Sequence, residues 1–135
     1  YNLTDQFYLG FNASSQSLAP GEEVDINGDI IDSTKDPSSF FGFAIYPKLT
    51  FSEKFALGLR AEYFSVKNGH LSIFSTNSEG DGDIMEFTLS GNYKVGGLTL
   101  IPEFRIDTSS GDSFYVDNEV KSFMPSLMLA AVYKF

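Results

Sequence analysis

The sequence contains no cysteine, only one histidine, and half as many basic as acidic residues. Without cysteine, the chain can form no disulfide framework, no thiolate zinc site and no cysteine nucleophile. The single histidine, His70, excludes a histidine-rich metal site, and its spacing from serine and acidic residues favours no catalytic triad, so we do not expect an enzyme. Nine Lys and Arg against 18 Asp and Glu give a net charge of −9, which repels phosphate backbones and argues against nucleic-acid binding.

Long apolar runs and helical periodicity are also missing. No apolar run approaches the roughly 20 residues that a membrane helix needs. In addition, no segment of about 11 or more residues repeats its apolar residues every three to four positions, as an amphipathic helix would. The 135 residues are enough for one domain, and 14 Phe and 7 Tyr are too many large apolar side chains for a disordered chain. Apolar residues instead alternate with polar or small ones, which predicts an all-β protein.

Six segments show this alternation. In the clearest of them, every second residue from Phe55 to Tyr63 is apolar, whereas Arg60 and Glu62 fall on the opposite face. The predicted strands are Gln6–Ser15, Ser39–Thr50, Phe55–Phe64, Ile84–Val95, Leu98–Asp107 and Lys121–Phe135.

Short and long connections alternate between these strands. In an antiparallel up-and-down sheet, such alternation places the tight turns at one end and the long acidic loops at the other. An Asn27-Gly28 turn also predicts a hairpin at Val24–Ile31, which would extend the sheet to about eight strands. The predicted tight turns are Ser52–Lys54 and Gly96–Gly97, and the predicted long loops are Gln16–Ser38, Lys67–Gly82 and Thr108–Val120.

The length of the strands indicates which solvent the apolar face meets. A strand of about 10 residues, tilted by about 45°, spans about 23 Å, close to the apolar band of a membrane barrel, whereas strands of soluble proteins average about five or six residues. Aromatic residues near the ends of the apolar face, such as Phe55, Tyr63 and Tyr93, are typical of interfacial girdles. These features favour a transmembrane β-barrel with short periplasmic turns and long extracellular loops. A soluble lipocalin-like ligand binder is the alternative.

The face opposite the apolar one carries charges of both signs. If the apolar face meets lipid, these side chains line a lumen and form a charged belt across neighbouring strands. A set of neutralising ion pairs in a barrel that conducts nothing is an equally open interpretation. The lumen-lining candidates are Lys48, Arg60, Glu62, Glu86, Lys94, Glu103, Arg105 and Lys134.

The acidic loops offer one weak candidate for a cation site. Asp25, Asn27 and Asp29 are spaced like the first ligands of an EF-hand loop, but glycine stands at the fourth position instead of the sixth, and the twelfth is Asp36 instead of Glu. Most of the loop acids are expected to be solvated only. We expect no resident metal and no cofactor.

The end of the chain carries a more specific pattern. Phe135, with Tyr133 two positions before it and alternating apolar residues from Leu127, resembles the C-terminal assembly signal of bacterial outer-membrane proteins. In addition, FSEKFALGLRAEYFSVKNG at residues 51–69 and GNYKVGGLTLIPEFRID at residues 91–107 resemble the last third of OmpL-like outer-membrane porins. The resemblance covers about residues 40–135.

This resemblance implies a porin-like barrel in a Gram-negative outer membrane, through which small polar solutes diffuse passively. Its expected partners are outer-membrane lipid and lipopolysaccharide, the outer-membrane assembly machinery acting on the C-terminal strand, and other barrel strands or subunits. The resemblance brings no catalytic residues with it.

The size of the chain departs from that family. Six strands leave almost no lumen and are fewer than the eight of the smallest common membrane barrels. Tyr1-Asn2-Leu3 followed by Thr4-Asp5 looks like the end of a preceding strand and its turn. We therefore expect residues 1–135 to be the C-terminal part of a larger barrel, or else a small eight-stranded barrel or barrel subunit with a scaffolding or partner-binding role.

Overall fold

Ten strands and no helix make up the described part of the computed structural model, which covers residues 1–19, 23–24, 26–32, 36–69, 71 and 73–135, with the backbone alone for 23–24 and 30–32. No helix among these residues is long and apolar enough to cross a membrane. In chain order the strands are β1 (Phe7–Leu18), β2 (Glu23–Val24), β3 (Ile30–Asp32), β4 (Ser38–Thr50), β5 (Phe55–Lys67), β6 (Gly82–Val95), β7 (Leu98–Ser109), β8 (Phe114–Val116), β9 (Glu119–Lys121) and β10 (Phe123–Tyr133).

The six long strands form one antiparallel sheet, here called the main sheet, in the order β1-β4-β5-β6-β7-β10. All six strands predicted from alternation are confirmed. Four of them are two or three residues longer than predicted, whereas the last strand is shorter and ends at Tyr133 instead of Phe135. In the described part of the chain, β1 and β10 do not pair with each other, so the main sheet is open. The all-β, up-and-down antiparallel architecture is therefore as predicted, as one portion of a barrel wall.

The hairpin predicted at Val24–Ile31 is present as β2 and β3, with Gly28 at φ 89° in its turn. The prediction that it extends the main sheet was wrong, because β2 and β3 form a separate two-stranded sheet. The physical reason is that β1 and β4, on either side of this hairpin in sequence, pair directly with each other from Phe7↔Leu49 to Leu18↔Ser38. No free edge remains between them for the hairpin to join.

A second hairpin, β8 and β9, lies in the segment predicted as the long loop Thr108–Val120. Its turn residues Asp117 and Asn118 both have positive φ, 55° and 64°, as a two-residue type I′ hairpin turn requires. Lys121 therefore pairs with Phe114 in this hairpin, and the last strand begins at Phe123 instead of Lys121.

The two ends of the main sheet differ as predicted. The tight connections at residues 51–54 and 96–97 lie at one end, here called the turn end, and the three long connections lie at the other, the loop end. At the turn end, the backbone groups of Tyr1 and Leu9 exchange two hydrogen bonds, and Asn2 bridges Tyr8. Residues 1–2 thus lie along the edge of β1 that faces away from β4.

The register sorts side chains by polarity. Cross-strand partners such as Leu59↔Leu89↔Phe104 share an apolar face, on which Phe87 is 46% exposed. On the polar face, Glu86 is only 7% and Asp107 only 2% exposed. Because one cavity of about 480 Å³ on the polar face reaches from Tyr8 in β1 to Met128 in β10, the sheet curves around that face. Across the centre of the main sheet, apolar groups thus lie outside and charged groups inside.

Candidate lumen wall

Three acidic residues form one row across the centre of the polar face. Glu62 in β5 is the direct partner of Glu86 in β6, and Glu86 is the direct partner of Asp107 in β7. Like charges placed directly opposite each other destabilise a sheet unless counter-charges lie close by. The row therefore needs cations within reach.

The neighbouring row, two residues nearer the turn end, supplies these cations. Arg60 in β5 and Arg105 in β7 flank Thr88 in β6. Both arginines are close enough to the acidic row for their guanidinium groups to contact carboxylates in it. Period-two alternation explains this arrangement, because residues i and i+2 of a strand point to the same face.

Each arginine pairs first with the acid of its own strand. Arg105 donates from Nε and Nη2 to the two carboxylate oxygens of Asp107, at 2.8 and 2.7 Å, which is a bidentate arrangement. Arg60 donates from Nη2 to Oε1 of Glu62 at 2.6 Å. The pairing satisfies Asp107 although its side chain is almost fully buried.

Glu86 joins the two pairs into one network. Its Oε2 lies 3.1 Å from Nη2 of Arg105, and its Oε1 lies 3.8 Å from Nε of Arg60. Thr88 donates a further hydrogen bond to Oε1 of Glu86 at 2.8 Å. Leaving such a buried carboxylate without a partner costs several kcal/mol, so Glu86 ties β5, β6 and β7 together electrostatically.

Tyr46 extends the network to the first two strands of the main sheet. Its hydroxyl donates to Oε1 of Glu62 at 3.3 Å and accepts a hydrogen bond from Nδ2 of Asn12 at 3.0 Å. The guanidinium carbon of Arg60 lies 5.8 Å from the centre of the Tyr46 ring, within the range of a cation–π contact. Five adjacent strands thus contribute to one continuous polar surface.

The structure brings together most of the residues predicted from sequence to line a lumen. Arg60, Glu86, Glu103, Arg105 and Lys48 border the same 480 Å³ cavity, and Glu62 lies beside it in the network. Two predicted residues lie elsewhere. Lys94 borders a smaller cavity at the turn end, and Lys134 follows the last strand, where its backbone N–H donates to the carbonyl of Gly97.

Sequence reasoning missed four members of the network: Asp107, Thr88, Tyr46 and Asn12. Asp107 could have been found, because it stands two residues after Arg105 on the same predicted face. Tyr46 and Asn12 could not, because their roles depend on pairings between β1, β4 and β5 that alternation alone does not specify.

The remaining sequence-predicted sites lie only partly within the described residues. Asp25 and His70 lie outside the described residues, and Asn27 and Asp29 lie at the β2–β3 hairpin, where the cation site stays a prediction. Among the residues that the structure describes, no group of three or more His, Cys, Asp or Glu is placed to hold a metal ion. Tyr133 and Phe135 are exposed at the turn end, with ring centroids 6.3 Å apart, and their role as an assembly signal also stays a prediction.

Comparison with known proteins bears on the function of this polar wall. The family model described as putative beta-barrel porin-2, OmpL-like, matches residues 1–135. The chain belongs to this family. The resemblance inferred from about residues 40–135 is therefore confirmed over the whole chain, and this porin-family chain is a membrane β-barrel protein. Comparison with curated proteins and with solved structures gives no significant match.

Proposed function

We propose that this chain forms part of the wall of an outer-membrane β-barrel whose water-filled lumen lets small polar solutes diffuse passively. The observation that carries the proposal is the inverted distribution of polarity across the main sheet. Large apolar side chains are exposed on the convex face, and the charged network is sheltered on the concave face. A protein dissolved in water gains nothing from that arrangement, whereas a barrel in lipid requires it.

The dimensions of the strands support a membrane location. β5 has 13 residues, and at about 3.3 Å per residue and a tilt of about 45° it spans about 30 Å, the thickness of a bilayer's hydrocarbon core. In this orientation the turn end faces the periplasm and the loop end faces the exterior, because outer-membrane barrels keep their periplasmic turns short.

The charges on the concave face support a polar lumen. A wall that carries arginines and carboxylates beside an open cavity of about 480 Å³ remains hydrated and admits polar solutes of small size. The two signs nearly balance among the residues of the network. A passive and weakly selective pathway therefore fits this wall better than a highly charge-selective one, and it needs no cofactor.

We further propose that additional strands close the barrel against the outer edges of β1 and β10. In lipid, each unpaired backbone N–H or C=O costs several kcal/mol, so an open strand edge is not tolerated there. Residues 1–2 pair antiparallel with the outer edge of β1, and a tight turn connects them to β1. The end of a preceding strand would pair in the same way. A longer polypeptide, of which residues 1–135 form the C-terminal part, fits this pairing.

Two groups of partners belong to the same proposal. The exposed aromatic residues Tyr133 and Phe135 would be the feature that the outer-membrane assembly machinery reads on the last strand. Outer-membrane lipid would cover the convex face, and lipopolysaccharide would contact the acidic connections at the loop end.

The test is conductance of the full-length protein, purified from outer membranes in detergent and reconstituted into planar bilayers. A gel that compares boiled and unboiled samples first establishes that a closed barrel is present. We expect open channels whose conductance rises with salt concentration. A heat-modifiable barrel without conductance would support a scaffolding role instead, and protein that stays soluble without detergent would support a ligand binder.

A matched pair of neighbouring residues links the conductance to the concave face. Arg60 points into the network and Leu59 points away from it. Because Arg60→Gln removes one positive charge from the wall, we expect its reversal potential in a salt gradient to shift toward cation preference. Leu59→Ala should leave the reversal potential unchanged, and equal shifts in both variants would contradict the assignment of the faces.

A further inference from the structure

Residues 74–76 belong to the connection between β5 and β6 and lie across the concave face. Gly82 is the cross-strand partner of the fully buried Val66, and both belong to that face at the loop end. A Cβ on Gly82 would lie 2.8 Å from the Phe74 ring, 3.1 Å from the carbonyl oxygen of Ser75 and 3.2 Å from Cγ2 of Thr76. Residues 74–76 therefore cross directly over the inner surface of the sheet, where only glycine leaves room for them.

An aromatic cluster holds this segment against the wall. The Phe74 ring meets the Phe64 ring edge-on, at 6.3 Å between centroids and 82° between planes. Phe64 in turn stacks on Phe40 at 5.3 Å. Phe64 lies on the concave face two residues beyond Glu62, which is about 7 Å along the strand. The cluster thus stands directly between the loop end and the charged network.

Hydrogen bonds fix both the end of the connection and its middle. Asp81 accepts a hydrogen bond from Nζ of Lys67 at 2.5 Å and another from the backbone N–H of Asn68 at 3.0 Å, which joins the end of the connection to its beginning. Ser75 binds the neighbouring connection, since its N–H donates to Oγ of Ser113 at 3.1 Å and its hydroxyl donates to the carbonyl of Asp112. The crossing segment is therefore held at a defined position.

We propose that residues 74–76 form an inward strap that narrows the loop-side entrance of the lumen, and that the Phe74 ring sets the width there. The inference rests on the proposed function, because it presumes that solutes pass along the concave face. A solute that enters from the loop end passes the rings of Phe74 and Phe64 before it reaches the charged network. The strap thus selects by cross-section, favouring compact polar solutes over bulky ones of the same chemistry.

The experiment measures liposome swelling with the full-length protein, using a pentose, a disaccharide and a trisaccharide as probes. Phe74→Ala should raise the rate for the trisaccharide relative to that for the pentose. Ile73→Ala is the matched control, because Ile73 is the neighbouring residue, is 65% exposed and makes none of these ring contacts. The control should keep the ratio of the unmodified protein.

A second variant distinguishes the loss of the Phe74 ring from a general loosening of the connection. Because the chain contains no cysteine, Phe74→Cys introduces the only thiol in residues 1–135. The swelling rate for the trisaccharide relative to that for the pentose should rise in this variant. It should fall again when a benzyl thiosulfonate reagent restores a ring at that position. A ratio that neither substitution changes, in a barrel that swells liposomes, would overturn the strap alone. No swelling by the unmodified, heat-modifiable barrel would overturn the proposed function as well.

Discussion

Leu89 offers the most direct test of which face meets lipid. It lies near the middle of the 14-residue strand β6, on the convex face between Leu59 and Phe104. An arginine near the bilayer midplane of a β-barrel costs about 2–4 kcal/mol. At 1.4 kcal/mol per tenfold change, Leu89→Arg should therefore lower the folding equilibrium constant by roughly 30- to 700-fold.

Two other positions of β6 supply the controls. Ser90 is the next residue, faces the cavity and is the cross-strand partner of Glu103, so Ser90→Arg should change the stability by less than about 1 kcal/mol. Val95 ends the strand, and an arginine there should cost only about 0–1 kcal/mol.

The assay is guanidinium-induced unfolding of the full-length protein in phospholipid vesicles, followed by tyrosine fluorescence. The expected order of destabilisation is Leu89→Arg well above Val95→Arg and Ser90→Arg. If Ser90→Arg proved as costly as Leu89→Arg, the assignment of the convex face to lipid would be refuted. If Val95→Arg matched Leu89→Arg, the dependence on depth that a bilayer imposes would be missing.

Two further predictions concern the ends of the main sheet. Phe135→Ala should lower the amount of assembled barrel in the outer membrane, measured as the heat-modifiable band, whereas Lys134→Ala should leave it unchanged. Normal assembly of the Phe135 variant would refute the role of Phe135 in an assembly signal. At the loop end, hydrogen bonds from Lys67 and then from Asn68 hold the pKa of Asp81 below its ordinary value. The ionised Asp81 therefore stabilises the connection at any pH above the ordinary pKa of about 4, and this stabilisation is lost as the pH falls through the lowered pKa. Cleavage of residues 68–81 by an acid-active protease should increase over that pH range. Asp81→Asn should remove this pH dependence.

Most of the fold was accessible from the sequence because the period of two is strong. β5, β6 and β7 are 12 to 14 residues long and alternate over most of their length, and tight turns fix one neighbour of β5 and one of β6. The β8–β9 hairpin was missed because Asp-Asn is a weaker turn signal than Asn-Gly, and its strands have only three residues each. Sheet membership of β2 and β3 could not be predicted, because it depends on the long-range pairing of β1 with β4.

The candidate site was predictable only in part, for a related reason. Alternation placed Arg60, Glu62, Glu86 and Arg105 on one face, and the structure confirms that these four side chains meet. Alternation says nothing about loops, however. Phe74 stands in a polar segment without any period, so its position over the concave face follows from contacts that only the folded chain provides.

The bridging position of Glu86 also bears on how the sheet assembles. Tight turns join β4 to β5 and β6 to β7, so these two hairpins can form locally, before the longer connection of residues 68–81 brings them together. Glu86 then meets Arg60 across the seam between the hairpins. A slip of one residue along that seam would place Arg60 and Glu62 on the face opposite to Glu86. The ion pair between Arg60 and Glu86 therefore favours the register in which both hairpins present their charged face inward.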